Sequence, residues 1–205
     1  MSSKHKEKDR KQNLSCDYEA KKINALTPLT KVLESSSQQL RNKWCEQLLY
    51  KLHIIHNKFK NAKFSVCLGN LKIDKSNNLV LINVLDNTTS KNKATKQEDV
   101  RYKAPELINC NETNKAGDVW ATGICIYFII NYTFPWKVAN KNDKNFCLWA
   151  NKGTFPQNMN SYHTRILKKM LCVDSTMRPS IKNVFRVMYD TGVDKNVISK
   201  LYLLK

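Results

Sequence analysis

Leu40, Trp44, Leu48, Leu52 and Ile55 recur at three- and four-residue steps through SSSQQLRNKWCEQLLYKLHIIHNK, Ser35 to Lys58. That spacing puts them on one face of an α-helix, and the serines ahead of it offer an N-cap. The period then changes. NLKID and NLVLIN are short runs of β character separated by KSNN, so a small hairpin is predicted after the long helix. NTTSKNKATKQED has no periodicity and reads as a polar loop. Beyond it, helical segments alternate with breaks at Asn131–Pro135, Asn151–Gln157 and Ser175–Pro179. SIKNVFRVMYD is amphipathic, and a last short helix is expected from Asp194. Ahead of the long helix the pattern is weak. Short helical turns are expected near Pro28, and the Lys-rich residues 1–15 are expected to be disordered. The chain therefore divides into a basic N-terminal segment, 1–34, a main body, 35–190, and a helical tail, 191–205.

Composition narrows the classes. The chain has 205 residues, 41% of them hydrophobic, enough for one core of ordinary size. The longest apolar run, VWATGICIYFII from Val119 to Ile130, is too short to span a bilayer and reads as a buried helix. The charged start, MSSKHKEKDRKQ, lacks the apolar core of a secretory signal. Seven scattered cysteines without a C-x-x-C pair support neither a zinc site nor a disulfide framework, and reduced thiols are expected. These features place the protein in the cytoplasm or nucleus. The formal charge of +18 suits nucleic acid, acidic lipid or acidic protein, but Lys and Asn are abundant throughout, so charge alone selects no partner.

Three motifs carry more. APEL (Ala104 to Leu107) is followed eleven residues later by DVWATG (Asp118 to Gly123), and MRPS (Met177 to Ser180) lies about sixty residues further on. In this order they resemble the end of the activation segment, the D-x-W-x-x-G motif and the arginine-containing turn of the protein kinase superfamily, serine/threonine type. The stretch IINYTFPWKVANKNDKNFCLWANKGTFP resembles the F-P-W-K…D-x-x-F segment of the fungal kinases tied to nitrogen-permease reactivation and salt tolerance. The fold this resemblance implies is mainly α, the C-terminal large lobe of a kinase with a small β-hairpin and without the N-terminal lobe. It implies a buried ion pair between Glu106 and Arg178. It also implies that Asp118 accepts hydrogen bonds from backbone around the catalytic loop, and that Trp120 and its helix neighbours Ile124, Tyr127 and Phe128 are core, with Gly123 completing the motif.

The catalytic parts fare differently. The only glycines are Gly69, Gly117, Gly123, Gly153 and Gly192, so no glycine-rich phosphate loop precedes the hairpin. GNLKIDKSNNLVLINVL aligns with the kinase segment running from the metal-binding asparagine to D-F-G. Asn70 then takes the asparagine position as a vestigial metal ligand. The catalytic aspartate position falls on Ser65, with Lys63 and Phe64 before it, and no aspartate occurs from Tyr18 to Ile73. D-F-G becomes Asn83-Val84-Leu85, a neutral amide where magnesium needs a carboxylate, with Asp86 three positions on. The resemblance thus implies no catalytic residue, no metal and no cofactor.

Three readings stay open. The favoured one is a pseudokinase, inactive in phosphoryl transfer, that binds a protein partner in intracellular signalling, such as an intact kinase or a kinase substrate. The second is a serine/threonine kinase with residual or trans-complemented activity, for which ATP and magnesium would be the cofactors. The third is a basic nucleic-acid-binding module, for which Lys58, Lys60 and Lys63 with Phe59 and Phe64 are the candidate cluster. Thr88, Thr89, Ser90 and Thr95 sit where activation-segment phosphorylation occurs in active kinases, but Phe64 replaces the arginine that reads the phosphate.

Overall fold

The structure, a computed structural model, describes residues 25–59, 66–82, 99–109 and 114–189. In chain order the described residues form β1 (Thr27–Pro28), α1 (Leu29–Val32), α2 (Gln38–Lys58), β2 (Leu71–Ile73) and β3 (Leu79–Leu81). Helices α3 (Lys115–Asn131), α4 (Lys144–Lys152), α5 (Ser161–Met170) and α6 (Ile181–Tyr189) follow. Short 3₁₀ turns lie at Leu68–Asn70, Val100–Tyr102 and Pro105–Leu107. The fold is mainly α, with one small sheet, as the resemblance implied. The expected disorder at 1–15, the polar loop from Asn87 and the helix from Asp194 lie outside the described residues.

Helix α2 begins where a serine can cap it: Leu40 N donates to Ser37 Oγ at 3.2 Å. Its buried face is wider than the five predicted positions. Trp44, Leu48 and Leu52 are buried, Leu40 and Ile55 half-buried, and Arg41, Cys45, Leu49 and His56 are buried as well. The hairpin forms in the register Leu71↔Leu81, Lys72↔Val80, Ile73↔Leu79. Its turn is organised by Asp74, whose Oδ1 accepts from Ser76 N and Asn78 N, each at 2.8 Å, while Asn77 takes the left-handed φ of 57° that Asn tolerates. Three bonds fasten the hairpin to α2. Trp44 Nε1 donates to Asn77 O (3.2 Å), Gln47 Nε2 to Asn78 Oδ1 (3.1 Å), and Leu79 N to Gln47 Oε1 (2.7 Å).

The sheet has a third strand that the hairpin reading did not include. Thr27 pairs with Ile73 and Pro28 with Lys72, antiparallel. Two residues are too few to show any period. Pro28 then starts α1 by its fixed φ, and Leu29 and Leu33 are buried in the same core as α2 and α3.

Helix α3 is the centre of the molecule. Twelve of its residues, from Gly117 through Ile129, are buried, so it is apolar on every side rather than striped. It stops at Tyr132, which adopts φ 62° as a left-handed C-cap. Among the described residues no helix is long and apolar enough to cross a membrane. Around α3 the side chains of Trp120, Trp136 and Phe146 pack ring to ring, with centroids 5.3–6.4 Å apart. Trp149 stacks on Phe155 at 4.2 Å, and its Nε1 donates to Leu171 O at 2.8 Å, which pins α4 to the end of α5. The D-x-x-F residues now have jobs. Asp143 caps α4 by accepting from Asn145 N and Phe146 N, and Phe146 enters the aromatic cluster. Burial pushes the Asp143 carboxyl up, but backbone N–H donors from Lys137, Phe146, Val138 and Asn145 outweigh it and hold the group below the usual carboxylate range.

Candidate functional site

Glu106 and Arg178, 72 positions apart, meet as a two-pronged pair. Arg178 Nη1 donates to Glu106 Oε1 at 2.7 Å and Nη2 to Oε2 at 3.1 Å. The remaining donors are also used: Nη1 reaches Ala116 O (2.9 Å), and both Nη2 (3.0 Å) and Nε (3.1 Å) reach Cys172 O. The guanidinium carbon lies 4.9 Å from the ring centroid of Trp120. One side chain thus ties the APEL turn, the start of α3 and the loop after α5 into one body. Its fork geometry is what lysine lacks.

Asp118 also meets a side chain that the motif did not name. His56 Nε2, on the inner face of α2, lies 3.0 Å from Asp118 Oδ2, with side-chain exposures of 6% and 1%. Lys115 Nζ donates to His56 O at 2.7 Å, so the start of α3 grips the end of α2 twice. The catalytic-loop positions Lys63, Phe64 and Ser65, whose backbone surrounds the expected partners of Asp118, lie outside the described residues. His56 was not singled out in the sequence. The available signal was its place four residues after Leu52 on the apolar face, where a polar residue requires a buried partner.

Glycine at 123 answers to packing. A Cβ there would meet Leu171 Cδ2 at 2.9 Å, Leu171 Cγ at 3.1 Å and Met170 Cβ at 3.2 Å, so the end of α5 rests directly on the α3 backbone. Gly123→Val is expected to destabilise by about 1–3 kcal/mol through overpacking, since Met170 Cβ moves only with its backbone. A urea titration with an unchanged m-value and a lower midpoint is the expected result.

Asn70 ends the 3₁₀ turn ahead of β2. Its N–H donates to Cys67 O (3.0 Å) and its carbonyl accepts from Ile82 N (2.9 Å). Two residues upstream, Leu68 N donates to Tyr102 Oη at 3.3 Å, which joins this turn to the segment entering APEL. Tyr102 is a further contact missed in the sequence, where only the tripeptide after it drew notice. Burial pushes its hydroxyl well up, so it stays protonated. Ser65 and Asn83 lie outside the described residues, as do Lys60, Lys63, Phe64 and the phosphorylation positions 88–95. Of the basic-aromatic cluster, Lys58 is exposed with Nζ 5.7 Å from the Phe59 ring centroid, and Phe59 packs against the core. Among the described residues no three His, Cys, Asp or Glu side chains converge in a way that could hold a metal ion. Cys45, Cys67, Cys125, Cys147 and Cys172 are free thiols. Burial pushes those of Cys45 and Cys125 up, away from reactivity.

A small cleft with room for about one water, about 10 Å³, lies elsewhere, between α2, α3 and α5, lined by Cys45, Glu46, Leu49, Ile126, Tyr162 and His163 among others. It contains none of the motif residues. His163 is buried there. Its Nδ1 bonds Asn160 Oδ1 at 2.8 Å, and its Nε2 faces no acceptor. Burial lowers its pKa below the usual 6.5. The unfolded chain therefore binds a proton that the folded one rejects, so stability is full above about pH 6.5 and falls as pH drops toward the folded-state value. His163→Gln should flatten part of that acid limb, measured as urea midpoint against pH.

These elements and contacts are those of a protein kinase large lobe, and the sequence comparison agrees. Residues 7–189 match the protein kinase domain family model, and the chain belongs to the protein kinase family. It is 32% identical over 89 residues to serine/threonine-protein kinase A of Trypanosoma brucei brucei, a match covering 43% of this chain and 21% of that protein. It is 27% identical over 146 residues to mouse serine/threonine-protein kinase Nek4, covering 70% and 18%. With the Saccharomyces cerevisiae serine/threonine-protein kinase AKL1 it shares 22% over 200 residues, covering 84% and 17%. The yeast match gives the narrower fungal resemblance only weak support. The chain spans about a fifth of the length of these curated relatives.

Proposed function

We propose that this chain is a catalytically inactive member of the protein kinase family that acts by binding a protein partner, an intact kinase or a kinase substrate. The observation that carries it is a contrast between two sets of positions. The residues that hold the lobe together keep the chemistry their contacts need: Arg178 on Glu106, His56 on Asp118, Gly123 under Leu171. The residues that would do chemistry do not. Ser65 stands at the general-base position, and removing such a group typically costs about 10²–10⁴ in rate.

The family implies ATP and magnesium, and the donor set does not fit them. Asn70 keeps the neutral ligand of the catalytic loop, but the D-F-G position, where magnesium needs a carboxylate, holds Asn83 with only a neutral amide oxygen. The retained framework supports a rigid surface around the APEL turn instead, and the residues that border it, Val100, Arg101 and Phe134, suit contact with a protein segment. Val100 is 37% exposed, and the Arg101 guanidinium lies 4.2 Å from the Phe134 ring centroid.

The test is a thermal melt of the whole chain with ATP and magnesium. An ordinary nucleotide site at about 100 times its Kd adds about 2.7 kcal/mol of stability, or about 5–11 °C for a chain of this size. No shift is the expected result, together with no phosphate transfer to a generic substrate protein. A magnesium-dependent shift accompanied by transfer would reverse the reading.

A further inference from the structure

Helix α5 sorts its residues onto two faces. His163, Ile166, Leu167 and Met170 are buried, while Ser161, Arg165, Lys168 and Lys169 are exposed at i, i+4, i+7 and i+8. Three of those four are cations, and like charges three and four residues apart oppose a helix. No acidic side chain lies along this stretch of chain, since the sequence from Lys144 to Val173 contains no Asp or Glu. The ion pairs Asp99–Arg101 and Glu106–Arg178 both lie away from this face. Helix α4 extends it. The Trp149–Leu171 bond holds the two helices together, and Lys168 Nζ lies 3.9 Å from where a Cβ on Gly153 would stand. Lys152, exposed at the end of α4 and the residue before Gly153, adds a fourth cation at this junction. Lys152, Arg165, Lys168 and Lys169 make one basic edge across two helices.

The surroundings say what kind of anion fits. The exposed large apolar side chains among the described residues are Ile54, Val100, Tyr132, Val173 and Met177, so none falls between 133 and 172. Protein interfaces centre on buried aromatic or aliphatic anchors, and interfacial membrane binding sinks apolar side chains among the lipids. This edge has neither. Its exposed neighbours are Asn151, Thr154, Gln157 and Asn158, amide and hydroxyl groups of the kind that contact phosphate and sugar oxygens. We propose that the α4–α5 edge binds the phosphodiester backbone of double-stranded nucleic acid without reading its bases. This stands independently of the protein-binding reading, since it uses the opposite chemistry on other residues.

Binding of the full chain to a short fluorescent DNA duplex of mixed sequence, followed by anisotropy across a KCl series, tests the proposal. Each phosphate neutralised contributes about −0.9 to the slope of log Kobs against log salt. The triple variant Arg165→Gln, Lys168→Gln, Lys169→Gln should make that slope shallower by about 2.7. A control triple, Lys31→Gln, Lys75→Gln, Lys182→Gln, removes the same charge from exposed positions on α1, the β2–β3 turn and α6, and should leave the slope unchanged. If the first triple fails to fold, the pair Lys152→Gln and Lys169→Gln should still make the slope shallower by about 1.8. Equal effects of both triples would overturn the proposal, because binding would then follow overall charge. It would also fall if the duplex does not bind while phosphatidylserine vesicles or polyglutamate do.

Discussion

Arg178→Met should lower folding stability by about 3–5 kcal/mol, the largest loss expected from any single change at the site. For a chain of this size that corresponds to a fall in Tm of about 6–20 °C. Methionine keeps the unbranched stem and most of the volume, so packing alone does not produce the loss. What disappears is every donor to Glu106, Ala116 O and Cys172 O, at a side chain with 0% exposure. Two carbonyls lose their donors beside buried apolar groups, and the partly exposed Glu106 carboxylate loses its pair. The reverse substitution is milder. Glu106 is 26% exposed, so water can reach the space that Glu106→Gln alters, and the guanidinium keeps its two backbone acceptors. That variant should cost about 1–3 kcal/mol. Arg178→Lys should sit near the methionine result, because one ammonium cannot serve three acceptors in a fork. A methionine variant less than about 1.5 kcal/mol below wild type would mean that the pair is a surface ornament worth no more than an exposed salt bridge.

Trp120→Ala carries the second large effect, also about 3–5 kcal/mol. Trp120 is fully buried on α3, and its ring meets Trp136 at 5.6 Å, Phe146 at 6.4 Å and the Arg178 guanidinium at 4.9 Å. Removing it opens a cavity that three neighbours from separate segments must share, and a close-packed interior collapses poorly around such a gap. Trp120→Phe isolates the packing component. The indole Nε1 has no hydrogen-bond partner among the described residues, so phenylalanine forfeits no bond and leaves a smaller void. It should cost clearly less than alanine. Because Trp120 lies against Arg178, the double variant Trp120→Ala, Arg178→Met should depart from additivity by about 0.5–3 kcal/mol. Strict additivity in denaturant titrations would refute a shared contact.

Together these changes separate architecture from chemistry. The residues whose loss should unfold the lobe are those of the retained motifs, and none of them is asked to move a proton or hold a phosphate. The proposed inactive reading therefore predicts that stability and nucleotide response vary independently. Variants at Arg178, Trp120 and Gly123 should lower the melting temperature, while ATP with magnesium should leave it unmoved in the wild type.

Much of the fold was legible along the chain because its signals are local. The apolar step through Leu40, Trp44, Leu48 and Leu52 needs only the helical period, and the hairpin needs only a change to period two around a turn sequence. The order of APEL, DVWATG and MRPS pointed to the family from one dimension of information. What the chain could not display was decided by contacts between distant positions. Thr27 and Pro28 become a strand only because β2 offers an open edge, and two residues carry no period of their own. His56 is a buried half of a hydrogen-bonded contact because Asp118, 62 positions later, arrives beside it. Gly123 must lack a side chain because α5 ends against it. Arg165, Lys168 and Lys169 share one helix face by their spacing, and the packing of α4 on α5 brings the end of α4, with Lys152, to that side. Period and turn chemistry are properties of neighbours in sequence and determined the elements. Burial, pairing and the merging of charges depend on which elements touch, and only the tertiary structure decided them.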